Sequence, residues 1–445
     1  MIAWKRAGTI TVGNICGKLS GKRHKEMEEH EDGQAWPGTR GQRRFLIYAF
    51  IAVVIPVLFL YSPMPDKEDR QCGWYVDLPM GANLFINCDS KAFVNLAAEP
   101  SLLFEENQTR QSRPLYAVAG WAAGNALCAF KSEKSSQCYY YSFVIMNFVM
   151  IFAALMLFDF VSQKGGAAPA TVLVLSLFLA CNDITKAFTW SAHQQIFNIL
   201  TPVLAIFATS RILDDKKGGM RPLLFFSAAA GVLMLLYGNF IPMFLAMAAA
   251  FIIKGRREGM AAGRTWAVSS LSLLFFAVPT VSWMAAVSLV TGSYYNREMA
   301  SYRQFVWMFD RLGEGVPEFF AAMGGNTAEF VGTMLSIQVF PFIALFAVAL
   351  GIKFLKGSEE ETIARRTTSG TVLTSSMLVL LFYLLFYWLM GYYHYRLTFA
   401  IVPSLLVMTA IFLSRQGKRR ITFVLCVLAA GWLLFHILKP SGSLM

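Results

Sequence analysis

The chain has 445 residues, of which 56% are hydrophobic and 15% are charged, against about 25% charged residues in an ordinary soluble domain. This much apolar sequence excludes a single soluble core and predicts an all-α polytopic membrane protein. The net charge of +12 does not indicate a nucleic-acid partner, because the basic residues stand mostly in short gaps between apolar stretches, as the positive-inside rule describes.

Residues 1–44 form the first distinct part of the chain. They carry charges of both signs and have no apolar run of the kind that a cleavable signal peptide needs. Basic tails of this type commonly orient the first membrane helix. We expect residues 1–44 to be a cytosolic basic tail.

Eleven stretches are long and apolar enough to cross a membrane, which takes about 20 residues with a range of about 17–25. In chain order they are Phe45–Tyr61, Phe143–Val161, Ala170–Ala187, Gln194–Ser210, Leu223–Tyr237, Phe240–Ile253, Trp266–Thr291, Met334–Phe354, Val372–Gly391, Thr398–Ser414 and Ile421–Leu438. Residues 223–253 fit either one or two crossings, because Gly238 and Asn239 interrupt the apolar stretch. Two short helices meeting outside and one long kinked helix both fit this pattern.

A twelfth stretch, Pro114–Phe130, is only mildly apolar and is rich in Ala and Gly. If it crossed, the basic gaps that follow would fall on opposite sides of the membrane. We predict that it lies in the outer interface, so that all strongly basic gaps are cytosolic. Residues 62–142 then form one long external loop that carries interfacial helices.

This topology places four cysteines, Cys72, Cys88, Cys128 and Cys138, on the oxidising side, where disulfides persist. Their chain order suggests the pairs Cys72–Cys88 and Cys128–Cys138, although four cysteines allow three pairings. The other three are Cys16, Cys181 and Cys426. We expect one of these to be a cytosolic thiol and two to be packing residues.

The same topology gathers many polar and aromatic side chains at the outer face. They are Asp89, Lys91, Arg110, Arg113, Tyr116, Asn182, Asp183, Lys186, Trp190, His193, Tyr237, Asn239, Tyr294, Tyr295, Arg297, Tyr302, Arg303, Trp307, Tyr392, Tyr393, His394, Tyr395 and Arg396. Ionisable groups at membrane depth are costly and indicate a functional site.

Simpler roles stay open for each member of this set. Asp89 is a favoured residue type for capping the helix that begins near Lys91. Asp183 and Lys186 are three residues apart and fit a local ion pair on a helix. The tyrosines and tryptophans fit an interfacial belt, and the arginines fit contacts with lipid headgroups. No His-x-x-x-His or Cys-x-x-Cys metal spacing, phosphate-binding loop or nucleophile elbow occurs.

The order Asp89…Leu96-Ala97…Arg113-Pro114-Leu115 resembles the first-loop pattern of the GT-C superfamily of membrane glycosyltransferases. The resemblance covers roughly residues 45–310, which would be the catalytic transmembrane module, and 311–445 would add C-terminal membrane helices. It implies that Asp89 is the catalytic acidic residue and that Asp183 is the second acidic position. Ser90 stands where another carboxylate would favour a metal, so a divalent metal is possible but not supported.

The resemblance also implies the reaction: a sugar passes, with inversion, from a polyprenyl-phosphate carrier to a glycan or lipid-linked acceptor at the outer face of the inner (plasma) membrane. A positioned carboxylate such as Asp89 suits the general base. Arginine suits a phosphate, so Arg113 and Arg396, with Lys186 behind them, are the candidates for the donor phosphate. The candidates for other substrate contacts are Tyr116, His193, Tyr294, Tyr295, Arg297 and His394.

Two other functions stay open from the sequence. A polysaccharide polymerase or O-antigen ligase would act on pyrophosphate-linked donors through external arginines and a histidine. A transporter or flippase for lipid-linked sugars would predict charges at mid-bilayer and an internal repeat, neither of which the sequence shows. The lack of a large soluble domain after the last helix argues against a protein-glycosylating role.

Overall fold

The structure is a computed structural model that describes residues 38–66, 72–129, 135–355, 363–414 and 418–441. The chain divides into two compact units, Met1–Ile47 and Tyr48–Met445. Of the first unit, residues 38–47 are described and form the first part of a helix. The predicted cytosolic tail therefore lies outside the described residues except for 38–44.

The described residues are predominantly helical. The helices are α1 (Gly38–Leu58), α2 (Asp89–Ala98), α3 (Pro114–Cys128), α4 (Ser136–Lys164), α5 (Pro169–Ala180), α6 (Asp183–Phe188), α7 (Phe197–Asp214), α8 (Met220–Met234), α9 (Phe240–Arg257), α10 (Ala262–Thr291), α11 (Arg297–Ala300), α12 (Val306–Glu314), α13 (Val316–Met334), α14 (Phe340–Leu355), α15 (Ile363–Met390), α16 (Tyr395–Thr398), α17 (Val402–Ser414) and α18 (Lys418–Leu438).

Seven segments of the described chain are long and apolar enough to cross a membrane, which makes this a helical membrane protein. They are Gly41–Tyr61, Ser136–Lys164, Gln194–Asp214, Ala262–Thr291, Ser369–Met390, Tyr395–Ser414 and Arg420–Leu438. Three further predicted stretches fall on the shorter apolar helices α5, α8 and α14, and a fourth falls on α9. Eleven crossings therefore stay a prediction.

One predicted span, Ala170–Ala187, is interrupted. Helix α5 ends at Ala180, and Asn182 begins α6 by accepting a hydrogen bond from the backbone N–H of Thr185 at 2.9 Å. Asparagine is a favoured residue at this capping position because its side-chain oxygen satisfies a free N–H group of the first turn. Asp183 therefore lies on a new short helix and not at the end of the preceding one.

Between α1 and α4 the chain also forms a β-hairpin, which the sequence analysis did not predict. Strands β1 (Gly73–Asp77) and β2 (Asn83–Asn87) pair antiparallel. The hairpin is closed by the disulfide Cys72–Cys88, whose Cα atoms are 5.5 Å apart. The second disulfide joins Cys128 to Cys138 with Cα atoms 5.6 Å apart. The four cysteines thus pair in the order in which they occur in the chain, which is the pairing that the sequence suggested.

Helix α3 packs against the first part of α4. Gly120 and Gly124 of α3 are so close to the rings of Phe143 and Tyr139 that any side chain there would overlap them. Helix α4 has 29 residues and is about 43 Å long, whereas the hydrocarbon core is about 30 Å thick. Helix α3 thus packs along one end of α4, and its place in the membrane interface stays a prediction.

The interruption predicted within residues 223–253 is present. Helix α8 ends at Met234 and α9 begins at Phe240, and the two helices pack on each other. The turn between them carries Tyr237 and Asn239, which are both buried. This turn brings two polar side chains close to the segment just before α7, where the hydroxyl of Tyr237 donates to Gln195 at 2.9 Å.

Candidate active site

Asp89 lies directly after β2, at the first turn of α2. The side chain of Asn87 accepts a hydrogen bond from the backbone N–H of Asp89 at 2.9 Å, and Cys88 is the capping residue. The alternative in which Asp89 caps its own helix is therefore wrong. Its carboxylate is free for contacts with other parts of the chain.

Two side chains contact the carboxylate of Asp89. Arg110 forms an ion pair with Oδ1, and the imidazole Nε2 of His193 lies 3.2 Å from Oδ2. The Asp89 side chain stays 33% exposed, whereas those of Arg110 and His193 are 9% and 3% exposed. A carboxylate fixed by two buried partners thus presents an open side to an approaching molecule.

The second nitrogen of His193 determines which proton the ring carries. Nδ1 accepts a hydrogen bond from the backbone N–H of Gln195 at 3.2 Å, so Nδ1 bears no proton. The proton of the neutral ring is then on Nε2, which donates to Asp89. Burial lowers the pKa of His193 to about 4, so the ring is neutral at pH 7 and is a hydrogen-bond donor to Asp89.

Asp89 is ionised at neutral pH. Burial would raise its pKa, but the hydrogen bond from His193 and the charge of Arg110 outweigh this effect and hold the pKa below its usual range. An ionised carboxylate with one open side is able to accept a proton from a bound hydroxyl group. In the resting site it is a weak base, because both partners stabilise the charged form.

A second ion pair lies beside the first. Arg113 contacts Glu298 at 2.7 Å, and the hydroxyl of Ser112 donates to the same carboxylate at 3.2 Å. The guanidinium of Arg113 also lies over the ring of Tyr237, 5.6 Å from its centroid. Burial opposes the charged form of Glu298, but Arg113 lowers its pKa overall. Arg113 therefore has a counter-ion of its own.

Gln111, between these two arginines, fixes the loop that carries Glu298. Its side chain is fully buried and accepts a hydrogen bond from the backbone N–H of Tyr295 at 2.9 Å. The backbone carbonyl of Gln111 accepts a hydrogen bond from the indole N–H of Trp283 on α10 at 2.7 Å. The loop after α10 is thus held against residues 110–113.

Arg396 differs from the other two arginines. It forms no ion pair with a carboxylate in the described part of the chain, and its Nε atom is buried without an acceptor. Its backbone carbonyl accepts from the side chain of Asn198 at 2.7 Å, and its charge contributes to lowering the pKa of His193. A cation without a counter-ion therefore stands beside the Asp89–His193 pair.

A buried polar network lies next to His193 and Arg396. The side chains of Gln195, Asn198 and Tyr237 are linked, with the Tyr237 hydroxyl donating to Gln195 at 2.9 Å and Asn198 donating to Gln195 at 2.6 Å. Asn239 continues the network to Asn198 and to the hydroxyl of Tyr387 on α15. Buried polar groups that satisfy one another in this way fix a single arrangement.

The structure corrects the interpretation of Asp183. Its carboxylate contacts Lys439 at 2.6 Å and His436 at 3.3 Å, not Lys186. Lys186 donates instead to the backbone carbonyls of His436, at 2.6 Å, and of Lys439. A lysine at the last carbonyls of a helix stabilises its C-terminus. Asp183 and Lys186 therefore fasten the end of α18 and form a group separate from Asp89.

Further contacts hold this end of α18. The backbone N–H of Ser441 donates to the carbonyl of Pro63 at 3.0 Å, and the hydroxyl of Tyr75 on β1 donates to the carbonyl of Ser441 at 3.3 Å. The end of α18 thus contacts both α6 and the segment that follows α1.

The remaining predicted residues have varied surroundings. Tyr116 is fully buried and packs edge-on against Phe93, with ring centroids 4.9 Å apart, so a surface contact with a sugar is not its role. Tyr294 is half-buried, and burial beside Glu298 raises its pKa to about 12. Arg297 begins α11 and is half-exposed. His394 caps α16, with Nδ1 accepting from the backbone N–H of Arg396.

Two residues that matter most here were not singled out from the sequence. Arg110 was only one of several basic residues in its loop, and Glu298 was passed over among the aromatic and basic residues of 294–307. Glu298 directly follows Arg297, and nothing in this stretch indicates that the partner of Glu298 is Arg113, 185 residues earlier in the chain. Long-range pairs of single charges leave no local pattern.

Five separate parts of the chain thus lie around Asp89 and Arg113, namely residues 87–113, the segment just before α7, the turn at 235–239, the loop after α10 and α16. Within the described residues, no group of three or more His, Cys, Asp and Glu side chains is arranged to hold a metal ion. No model of a known protein family matches the chain, and no curated protein matches it. The chemistry has to be argued from these contacts.

Proposed function

We propose that this protein is a membrane glycosyltransferase that transfers a sugar from a polyprenyl-phosphate carrier to a hydroxyl group of a glycan or lipid-linked acceptor. The observation that carries the proposal is the geometry at Asp89. An ionised, partly open carboxylate lies beside an arginine without a counter-ion, and both belong to a helical membrane protein. A base and a phosphate-binding cation are the two groups that this reaction needs.

In the proposed reaction, the acceptor hydroxyl attacks the anomeric carbon of the sugar while its proton passes to Asp89. The bond between the anomeric carbon and the phosphate oxygen breaks, and the polyprenyl phosphate leaves with the electron pair. A single displacement inverts the anomeric carbon. His193, as a neutral donor, holds the carboxylate in place and does not itself take the proton.

The leaving phosphate gains negative charge, which a nearby cation stabilises. Arg396 suits this role because its guanidinium has no carboxylate partner among the residues that the structure describes, and its Nε atom is buried without an acceptor. A planar guanidinium is able to bind two phosphate oxygens at once. Arg113, our other candidate from the sequence, is engaged by Glu298 at 2.7 Å and so contributes less.

The charges of the site favour a monophosphate over a pyrophosphate. Arg110 is paired with Asp89 and Arg113 with Glu298, and His193 is neutral, so among these six groups the charge of Arg396 is the one left uncompensated. A phosphodiester linking sugar and lipid carries one negative charge, and a pyrophosphate diester carries two. This balance supports the polyprenyl-phosphate donor and argues against the polymerase or ligase alternative.

The proposed side of the membrane is the outer face of the plasma membrane. The basic gaps support this, since lysine and arginine accumulate on the cytosolic side. The two disulfides support it as well, since both lie in the segment that carries Asp89 and disulfides persist on the oxidising side.

The test uses the purified full-length protein with polyprenyl-phosphate sugars, polyprenyl-pyrophosphate sugars and a panel of glycan acceptors. We expect polyprenyl phosphate to be released only when acceptor is present, with a glycoside of inverted configuration. Release from pyrophosphate donors alone would favour the polymerase or ligase alternative. Movement of the lipid-linked sugar between leaflets of a vesicle, without any release, would favour the flippase and overturn the proposal.

A further inference from the structure

The resting site has a contradiction that the proposed reaction must resolve. Asp89 has both carboxylate oxygens occupied, one by Arg110 and one by His193. An acceptor hydroxyl needs one of these oxygens to receive its proton. Each oxygen keeps a further lone pair for such a contact, but the two partners together make Asp89 a weak base, and its basicity increases only if one of them leaves before the transfer step.

His193 is not free to leave. Both of its ring nitrogens are engaged, with Nε2 at Asp89 and Nδ1 at the N–H of Gln195, and the ring lies against Phe188 with centroids 4.7 Å apart. Its side chain is only 3% exposed. Rotating the ring would leave two buried polar groups without partners, which is costly.

Arg110 has a different environment. Its Nε atom is buried and has no acceptor, so the guanidinium is not fully satisfied by Asp89. It lies over the ring of Phe93, 5.2 Å from the centroid, a contact that allows the planar group to slide. The charges of Arg113 and Asp89 both act on it. An incoming anion would satisfy the unpaired N–H group.

Resting on the proposed function, we infer that Arg110 changes partner during the reaction, holding Asp89 in the empty site and passing to the donor phosphate when the donor binds. The phosphate then lies between Arg110 and Arg396. The vacated oxygen of Asp89 is the one that receives the acceptor proton.

This exchange has a chemical benefit. While Arg110 is at Asp89, the charged carboxylate is stabilised and is a weak base. Once Arg110 has moved to the phosphate, one stabilising partner is lost and the basicity of Asp89 increases. The base is thus activated by the binding of the donor, and the exchange predicts that the donor binds before the acceptor reacts.

The neighbouring pair provides a matched control. Arg113 and Glu298 are also a guanidinium and a carboxylate, but Glu298 is held additionally by Ser112, and the two side chains are 16% and 13% exposed. We infer no exchange here. Removing the charge of Glu298 takes one negative charge from the site, as removing that of Asp89 does, but it leaves the contact between Arg110 and Asp89 intact.

The experiment measures the affinity of the detergent-solubilised full-length protein for undecaprenyl phosphate, the product that carries the donor phosphate. The variants are Asp89→Asn, Arg110→Gln, the double variant, Glu298→Gln and Glu298→Gln with Arg110→Gln. Binding of the phosphate requires Arg110 to leave Asp89 in the native protein. Asp89→Asn removes this competition and is expected to tighten binding by about tenfold.

A simple electrostatic effect would also tighten binding when Asp89 loses its charge, but it would do so whether or not Arg110 is present. The exchange predicts that the gain of Asp89→Asn falls, in the Arg110→Gln background, to the size of the gain of Glu298→Gln, and a double-mutant cycle measures this coupling. The gain of Glu298→Gln is expected to be the same in both backgrounds.

The outcomes separate the inference from the proposed function. A native protein that shows no saturable binding of undecaprenyl phosphate would overturn the donor class. Native binding with a gain for Asp89→Asn that is equal in both backgrounds, or absent, would overturn the exchange alone. If Asp89→Asn does not fold, Arg110→Gln decides by itself, because unchanged affinity in that variant would exclude a contact between Arg110 and the phosphate.

Discussion

The imidazole Nε2 of His193 lies 3.2 Å from the carboxylate Oδ2 of Asp89, although the two residues are 104 positions apart in the chain. This contact joins the end of β2 to the start of α7. Because Nδ1 of the same ring accepts from the backbone of Gln195, the orientation of Asp89 depends on the fold of α7. The base and its support therefore come from different elements.

Replacing Asp89 by Asn should reduce the transfer rate by about a hundredfold or more, because the amide is unable to accept a proton. The measurement is glycoside formation by the purified variant, with folding checked by a thermal unfolding curve. The control is Glu105→Gln, which removes an exposed carboxylate from the same segment. An Asp89→Asn protein that is folded and transfers sugar at the native rate would show that another group is the base.

The role of His193 as a neutral donor predicts how its variants behave. Glutamine offers an N–H group to Asp89, whereas alanine offers none, so His193→Gln should retain more activity than His193→Ala. Since burial holds the pKa of His193 at about 4, the rate of the native protein should show no inflection between pH 6 and pH 7 on account of this ring. An inflection near the ordinary histidine value, about 6.5, that vanishes in His193→Gln would contradict this assignment.

The lowered pKa of Asp89 predicts a pH dependence of stability. A carboxylate whose pKa is lowered on folding stabilises the native state above its unfolded pKa, and this contribution is lost as the pH falls through the folded value. The unfolded pKa is about 3.8. The difference in unfolding temperature between the native protein and Asp89→Asn should thus be constant above pH 5 and shrink on acidification below it. A difference that grows with acid would reverse the sign and refute the ion pair.

The pair Arg113–Glu298 should be revealed by a double-mutant cycle in stability. Arg113→Gln leaves Glu298 as a poorly compensated charge, and the reverse holds for Glu298→Gln, so each single variant should lose about 1–3 kcal/mol. The double variant should lose less than the sum of the two. Losses that add would show that the two side chains do not interact in the native protein. The unfolding free energy in denaturant is the quantity to measure.

The topology is tested by thiol labelling in intact membrane vesicles. Cys128 and Cys138 form a disulfide, so a thiol reagent that does not cross the membrane should label them only after reduction and only from the outer side. Cys181 is buried and should stay unlabelled until the protein is unfolded. Labelling of Cys128 from the cytosolic side would reverse the proposed orientation.

The sequence was informative where the signal is local or cumulative. Runs of apolar residues predicted the long helices α4 and α10, and Gly238 and Asn239 predicted a break, which the structure shows to separate two helices. The order of the cysteines suggested both disulfides. Asp89, His193 and Arg396 were each expected near one face, because the topology predicted from the basic gaps puts the segments that carry them on the same side of the membrane.

The partners of these residues were not predictable in the same way. The sequence suggested Lys186 as the partner of Asp183, since they are three positions apart, but Lys439 occupies that place, 256 residues later. For Asp89 the sequence also allowed a local role as a cap, but the side chain of Asn87 accepts the hydrogen bond from the N–H of Asp89 there. An ion pair between residues so far apart in the sequence depends on how the helices pack, and no local sequence pattern indicates it.

The fastening of α18 has a consequence for how the protein is made. Membrane helices enter the bilayer in the order of synthesis, so the hairpin with Tyr75 and the helix with Asp183 and Lys186 are made long before Ser441 and Lys439 are translated. Until then Lys186 and Asp183 lack their native partners. Every nascent chain therefore passes through a state in which these two buried charges are unpaired. Quality-control proteases should therefore recognise a protein whose last helix fails to insert, even when all earlier helices are in place.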